Sequence, residues 1–224
     1  MQARTAVAVL GTLALAGALS AGELRGGGGA FVGSPRGDLG REIGTGGGLY
    51  GHGVYSGKDG ILGLRLDASG FLYGSQTVRV PVASNLPRIS RELVTDNTIA
   101  DLMVGPQLTA PRGRIRPYVH AFAGVSYFST TTDLVEPFPI GSVLTATNFD
   151  DTVFAYGGGG GVLIPFGATR SSAVDAGVRW IHGSRARYLA KGDLKDDGRG
   201  GVSFTPRSSD SDRLEFRIGV SFKL

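Results

Sequence analysis

From Leu214 the chain alternates without interruption: Leu214, Phe216, Ile218, Val220, Phe222 and Leu224 take one phase, and Glu215, Arg217, Gly219, Ser221 and Lys223 the other. Successive side chains of a strand point to opposite faces, so this is a strand with one apolar face and one charged face. Reading backwards, the same period of two recurs. Residues 173–188 set Val174, Ala176, Val178 and Trp180 against Asp175, Gly177 and Arg179. Residues 153–164 carry Phe154, Tyr156, Gly158, Gly160, Val162 and Ile164 in phase, and residues 118–128 carry Val119, Ala121, Ala123, Val125 and Tyr127. Further strands are predicted over 99–108, 61–73 and 43–55. In the second of these Leu62, Leu64, Leu66, Ala68, Gly70 and Leu72 oppose Arg65, Asp67, Ser69, Phe71 and Tyr73.

The connections alternate in length. Short links at 57–60 (a good hairpin turn, Gly-Lys-Asp-Gly), 110–117 and 165–172 separate long polar ones at 76–97, 129–151 and 191–212. A glycine-rich first strand is expected between Leu24 and Val32, joined to the next by the polar stretch 34–42. Its support is parity, because an even strand number keeps both termini on one side of a membrane. The prediction is eight antiparallel strands.

Alternation alone also fits a soluble barrel or sandwich. What separates the cases is the second face. Here it mixes glycine with isolated charges of both signs: Arg65, Asp67, Asp101, Asp175, Arg179, Glu215 and Arg217. Water-facing strands carry more Lys, Thr and Glu and less Gly, whereas a narrow lumen suits small residues and acid–base pairs. The alternating segments run to about 10–14 residues, against about 5–6 for soluble strands and about 9–11 for a tilted membrane crossing. Phe71, Tyr73, Tyr127, Phe128, Phe154 and Tyr188 near the long connections, and Phe166 and Phe222 near the short ones, are expected to form interfacial girdles. The reading is all-β: an eight-stranded antiparallel up-and-down transmembrane barrel, too narrow for an open pore once side chains fill it.

Composition agrees. The 224 residues include 38 glycines and 10 prolines, with neither a collagen period nor a low-complexity tract. Glycine weakens strands in water, so something beyond local propensity must hold them, and a bilayer does so by forcing every amide to pair. Cysteine is absent, which excludes disulfides, thiolate chemistry and a lipoprotein anchor. A formal charge of +4, spread along the chain, gives no case for nucleic acid. The uncharged run from Thr5 to Gly22, after Arg4 and ending in small residues at Ala18 and Ser20, reads as a signal peptide over 1–20, with the barrel over 21–224.

The segments "RPYVHAFAGVSYF", "YGGGGGVLIPFG", "VDAGVRWIHGS" and "FRIGVSFKL" resemble the small bacterial outer-membrane β-barrels of the OmpA-like/OmpX-like type. The resemblance covers nearly the whole mature chain as pattern. It implies a bacterial outer-membrane location, contact with outer-membrane lipid and lipopolysaccharide, and delivery by the barrel-assembly machinery, which reads a terminal strand of this kind. That signal commonly ends in an aromatic residue, whereas this chain ends Phe222-Lys223-Leu224. No peptidoglycan-binding domain of the kind carried by larger relatives is expected after Leu224.

Candidate chemistry is sparse. His182-Gly183-Ser184 resembles the His-x-Ser pair of outer-membrane lipid A deacylases, which implies His182 as base and Ser184 as nucleophile. Arg185 stands where that family has Asn, no glutamate lies near, and Asp193 is loop-borne; an interfacial histidine accounts for the same residue with less. The run Gly157 to Gly161 lacks the Lys-Ser/Thr of a phosphate loop and reads as close backbone packing. Arg185, Arg187 and Lys191 are candidate contacts for lipopolysaccharide phosphates, with a solvated strand end as the default. The carboxylates of 193–201 lack calcium-loop spacing. No catalytic, cofactor or metal residue is assigned. The expected role is structural or surface interaction through three long outer loops, by a monomer. The alternatives are a lipid A-modifying hydrolase using His182 and Ser184, and a periplasmic lipocalin-like carrier with an apolar interior.

Overall fold

A computed structural model describes residues 22–81, 90–135, 144–189, 194–196, 202–204 and 206–224. The expected signal peptide, residues 1–20, lies outside them. Eight strands form the barrel: β1 (Glu23–Pro35), β2 (Gly46–Ser56), β3 (Leu62–Pro81), β4 (Ser90–Thr109), β5 (Arg116–Val135), β6 (Leu144–Phe166), β7 (Ser172–Gly183) and β12 (Arg213–Lys223). Each pairs antiparallel with its neighbour in sequence, and β1 closes the ring against β12. The first strand, argued from parity, is present and pairs along its length with β2 as well. No helix among the described residues is long and apolar enough to cross a membrane.

The facing of the strands follows the predicted alternation. Leu62, Leu64, Leu66, Ile218 and Val220 are exposed, at 38–62% of their surface, and Arg65, Asp67, Asp101, Asp175, Arg179, Glu215 and Arg217 are buried. This removes the lipocalin-like alternative, which needs its apolar residues inside. Glycine earns its place in the lumen by making room. A β-carbon on Gly27 would meet the His52 ring, one on Gly159 the His120 ring, and one on Gly33 the Phe71 ring. Small residues thus sit beside large ones on nearby strands, leaving the rings room in the narrow interior.

Two expectations change. The long connections are mostly strand, not loop: β3 and β4 stay paired out to Pro81 and Ser90, β4 and β5 to Glu92 and Val135, and β5 and β6 to Leu134 and Leu144. The apolar alternation ends where the bilayer ends, but backbone pairing needs no apolar face, and β-branched threonines such as those at 130–132 favour a strand. Register shifts at Leu72/Gly74 and Thr130/Thr131 mark the level at which this sheet leaves the barrel. Residues 173–188 are also not one strand. β7 stops at Gly183, and β8 (Arg185–Tyr188) turns away to pair with β11 (Arg207–Asp210), while β9 (Leu194–Asp196) pairs with β10 (Val202–Phe204). A single helical turn, α1 (Leu39–Glu42), lies in the β1–β2 connection.

Candidate functional site

Three regions carry chemistry. The first is the lumen. At the end bearing the long hairpins it is filled by Phe31, Tyr50, Phe71, Tyr73, Ile99, Phe128, Val153 and Tyr188, capped by Leu39 and Ile43 from the β1–β2 connection and Ala186 from β8. Four of the aromatics expected in a membrane girdle, Phe71, Tyr73, Phe128 and Tyr188, therefore point inward and are buried. Phe71 and Tyr73 share the phase of Arg65 and Asp67, and Phe128 that of Ser126, so phase outranks closeness to a strand end. Tyr188, out of phase with Asp175 and Arg179, comes inward on β8 after the strand breaks at Ser184. Tyr127, Phe154, Phe166 and Phe222 do face outward, as expected.

Below this plug lies a balanced ionic network of four buried arginines, Arg65, Arg179, Arg213 and Arg217, and four buried acids, Asp67, Asp101, Asp175 and Glu215. Glu215 is its hub, accepting from Arg179 Nε at 2.7 Å, Arg217 Nε at 3.1 Å and Arg213 Nε at 3.5 Å. Asp101 accepts from Arg213 Nη2 at 2.6 Å, Ser126 Oγ at 2.7 Å and Ser69 Oγ at 3.0 Å. Asp67 joins Arg65 Nε at 2.7 Å to Arg217 Nη1 at 2.9 Å. Tyr118 OH donates to Asp175 at 2.7 Å. Charges buried this deeply persist only when paired and hydrogen-bonded on several sides. Arg213 is the one member not predicted. It continues the phase of Glu215 and Arg217 one step further back, and the predicted strand began one residue after it. His52 and His120 also lie in the lumen, with His52 Nε2 3.8 Å from Asp175 Oδ2. No cluster of three or more His, Asp or Glu among the described residues could hold a metal.

The second region is the His182 surface. His182 faces outward beside Tyr156, edge to face at 5.1 Å, and its Nδ1 lies 2.6 Å from Asp212 Oδ1. Asp212 is an acid near His182 that was not anticipated, brought there where β12 begins. No hydrogen bond among the described residues joins His182 to Ser184, which is exposed. The nucleophile is thus not engaged by its base, and a triad is not assembled. Arg185 is exposed, and the backbone N–H of Arg187 donates to Asp151 Oδ2 at 2.7 Å. Lys191 and Asp193 lie outside the described residues.

The third region is the projecting sheet of β3 to β6. β2 pairs with β3 only as far as Gly47 and Leu72. From Tyr73 to Pro81, β3 has no strand partner on that side among the described residues. At the opposite margin β6 is approached by β8: Ser184 N donates to Phe154 O at 2.9 Å.

No family model and no curated relative matches the chain. Among solved structures, the outer membrane protein OprG from Pseudomonas aeruginosa aligns over 91% of this chain and 96% of its own, at 17% identity and a TM-score of 0.51. The chain has the fold of the small bacterial outer-membrane barrels. Neisserial surface protein A (15% identity, 90% and 97% covered, TM-score 0.47) and Ail, the attachment invasion locus protein of Yersinia pestis (13%, 91% and 99%, 0.47), are similar over comparable lengths. In outer-membrane barrels the short turns face the periplasm and the long connections the exterior. On that orientation His182, Tyr156, Phe154 and Trp180 lie outward near the exterior side of the apolar belt, and the β3–β6 sheet projects beyond it.

Proposed function

We propose that this protein is a non-catalytic surface-interaction barrel of the bacterial outer membrane, acting as a monomer through its projecting β3–β6 sheet. The observation that carries the reading is the margin of β3 from Tyr73 to Pro81, a row of backbone groups with no strand partner on one side among the described residues. Such a margin accepts an added strand: main-chain hydrogen bonds give affinity and alternate side chains give selectivity. A lumen filled by the aromatic plug and the ionic network speaks against conduction. The closed ring leaves no barrel strand unpaired within the apolar belt, which supports the monomer. Phe222 and Leu224 face outward on the terminal strand, in keeping with recognition by the barrel-assembly machinery.

The test uses protein in lipid nanodiscs and a displayed library of random 12-residue peptides. Peptides should be enriched by the full chain and not by a variant lacking residues 77–93, which should still migrate as a folded barrel before heating. Equal enrichment by both, or none by either, would reject the reading.

A further inference from the structure

The turn end of the barrel is unusually basic. Arg25, Lys58, Arg112, Arg114, Arg116, Arg170 and Lys223 gather there against Glu23 and Asp59 alone, a side-chain balance of +5 beside +4 for the whole chain. The rest of the molecule is therefore slightly acidic. Glu23 is already shared by Arg25 at 2.7 Å and Lys223 at 2.8 Å, and Asp59 accepts the backbone N–H of Ile61. Arg116 donates to the Ala110 carbonyl at 2.8 Å. Lys58, Arg112, Arg114 and Arg170, spread over all three turns, are exposed and make no ion pair or hydrogen bond through their charged groups to another described residue.

The opposite rim mixes its charges more evenly. There Arg41 pairs with Asp38 and Arg207 with Glu42. Arg36 and Arg185 are exposed at that rim too, but it holds acids that answer two of its cations, whereas Lys58, Arg112, Arg114 and Arg170 at the turn end pair with no acid among the described residues. Directly beside the free cations runs an apolar skirt of outward side chains: Ile61, Leu108, Ile115, Phe166 and Phe222, each 39–58% exposed. A surface that sets unpaired guanidinium groups against hydrocarbon-facing residues matches one chemistry, an amphiphile with a phosphate head and acyl tails. Arginine presents a planar fork suited to phosphate oxygens, and unpaired cations at a bilayer surface gain from anionic lipid.

We propose that the turn end is a binding surface for anionic phospholipid headgroups of the leaflet it faces, with Arg112, Arg114 and Arg170 as the principal phosphate contacts. This depends on the barrel's orientation and not on what the projecting sheet binds. A soluble anionic partner would use the cations without needing the skirt.

The experiment is native mass spectrometry of the full chain released from micelles holding equimolar phosphatidylglycerol and phosphatidylcholine with identical acyl chains. Phosphatidylglycerol should be retained at least about tenfold over phosphatidylcholine, since each basic residue near an anionic surface is worth roughly fivefold. The triple variant R112Q/R114Q/R170Q should lose the preference, while R36Q/R41Q at the other rim should keep it. Adding salt to the wild-type protein before release should erode the preference, a readout that needs no variant to fold. Equal retention of the two lipids by the wild-type chain, or a preference that survives the triple variant, would overturn the proposal. So would displacement of phosphatidylglycerol by stoichiometric poly-glutamate, which would assign the cations to a soluble acidic partner.

Discussion

The two ends of this barrel use the same strands and fill them differently. On β3 the inward positions run from Arg65 and Asp67 near the turns, through Ser69, to Phe71 and Tyr73 near the hairpins. Along β3, ions lie toward the turns and rings toward the hairpins; on β5 the rings of Tyr118, His120 and Phe122 stand among those ions in the turn half. The difference teaches that the inward face of a small barrel is not simply the polar face. It is whatever packs, provided that every charge placed there is answered. Ionic packing fixes geometry through directed bonds, whereas aromatic packing fills volume and leaves the mouth closed under α1 and β8.

The sharpest way to break the comparison is at Glu215. Replacing it by Ala leaves Arg179, Arg213 and Arg217 without their shared acceptor, and should cost about 3–5 kcal/mol in urea unfolding from lipid vesicles. The double change Glu215→Ala/Arg217→Ala should cost less than the sum of the two single changes, because the pair belongs to one network. In the other half, Phe71→Ala should cost about 3 kcal/mol by opening a cavity among Phe31, Tyr73 and their neighbours. A negligible loss there would mean that the plug is decoration on a barrel held by its ions. Outside the lumen, Leu66→Arg should cost about 2–4 kcal/mol if the residue sits near the bilayer midplane, and a neutral result would contradict its lipid-facing position. The smallest effects are expected at the His182 surface. His182→Ala and Ser184→Ala should each change stability by no more than about 0.5 kcal/mol and leave the acyl-chain pattern of lipid A unchanged by mass spectrometry. A lost acyl-chain modification would show that Asp212, His182 and Ser184 act together after all.

The architecture was legible because facing is written into a period of two: all seven inward charges named from the sequence are buried, and the leucines of β3 are exposed. The plug was harder to see. Phe71, Tyr73 and Phe128 have the right phase, but aromatic residues near strand ends are also what a girdle needs, and proximity competed with phase. Tyr188 has the outward phase of β7 and turns inward only through the break at Ser184. The projecting sheet was hidden because apolar alternation reports contact with hydrocarbon and stops at the bilayer surface, whereas hydrogen-bond pairing continues. Asp212 and His182 lie thirty residues apart, and only the return of β12 beside β7 unites them. No local pattern announces such a meeting. Arg213 was one step beyond an assigned strand end, where boundaries are least reliable.

The glycine run from Gly26 to Gly29 sits at the seam where β1 meets β12, and a β-carbon on Gly29 would collide with the Ile218 carbonyl. That seam joins the two segments farthest apart along the polypeptide. It is therefore the last suture that biogenesis can tie, after every intervening hairpin has been laid down. A bare backbone on one lip lets the final strand slide home without threading side chains past one another, so a bulky residue at position 29 should leave the ring ajar rather than merely weaken it.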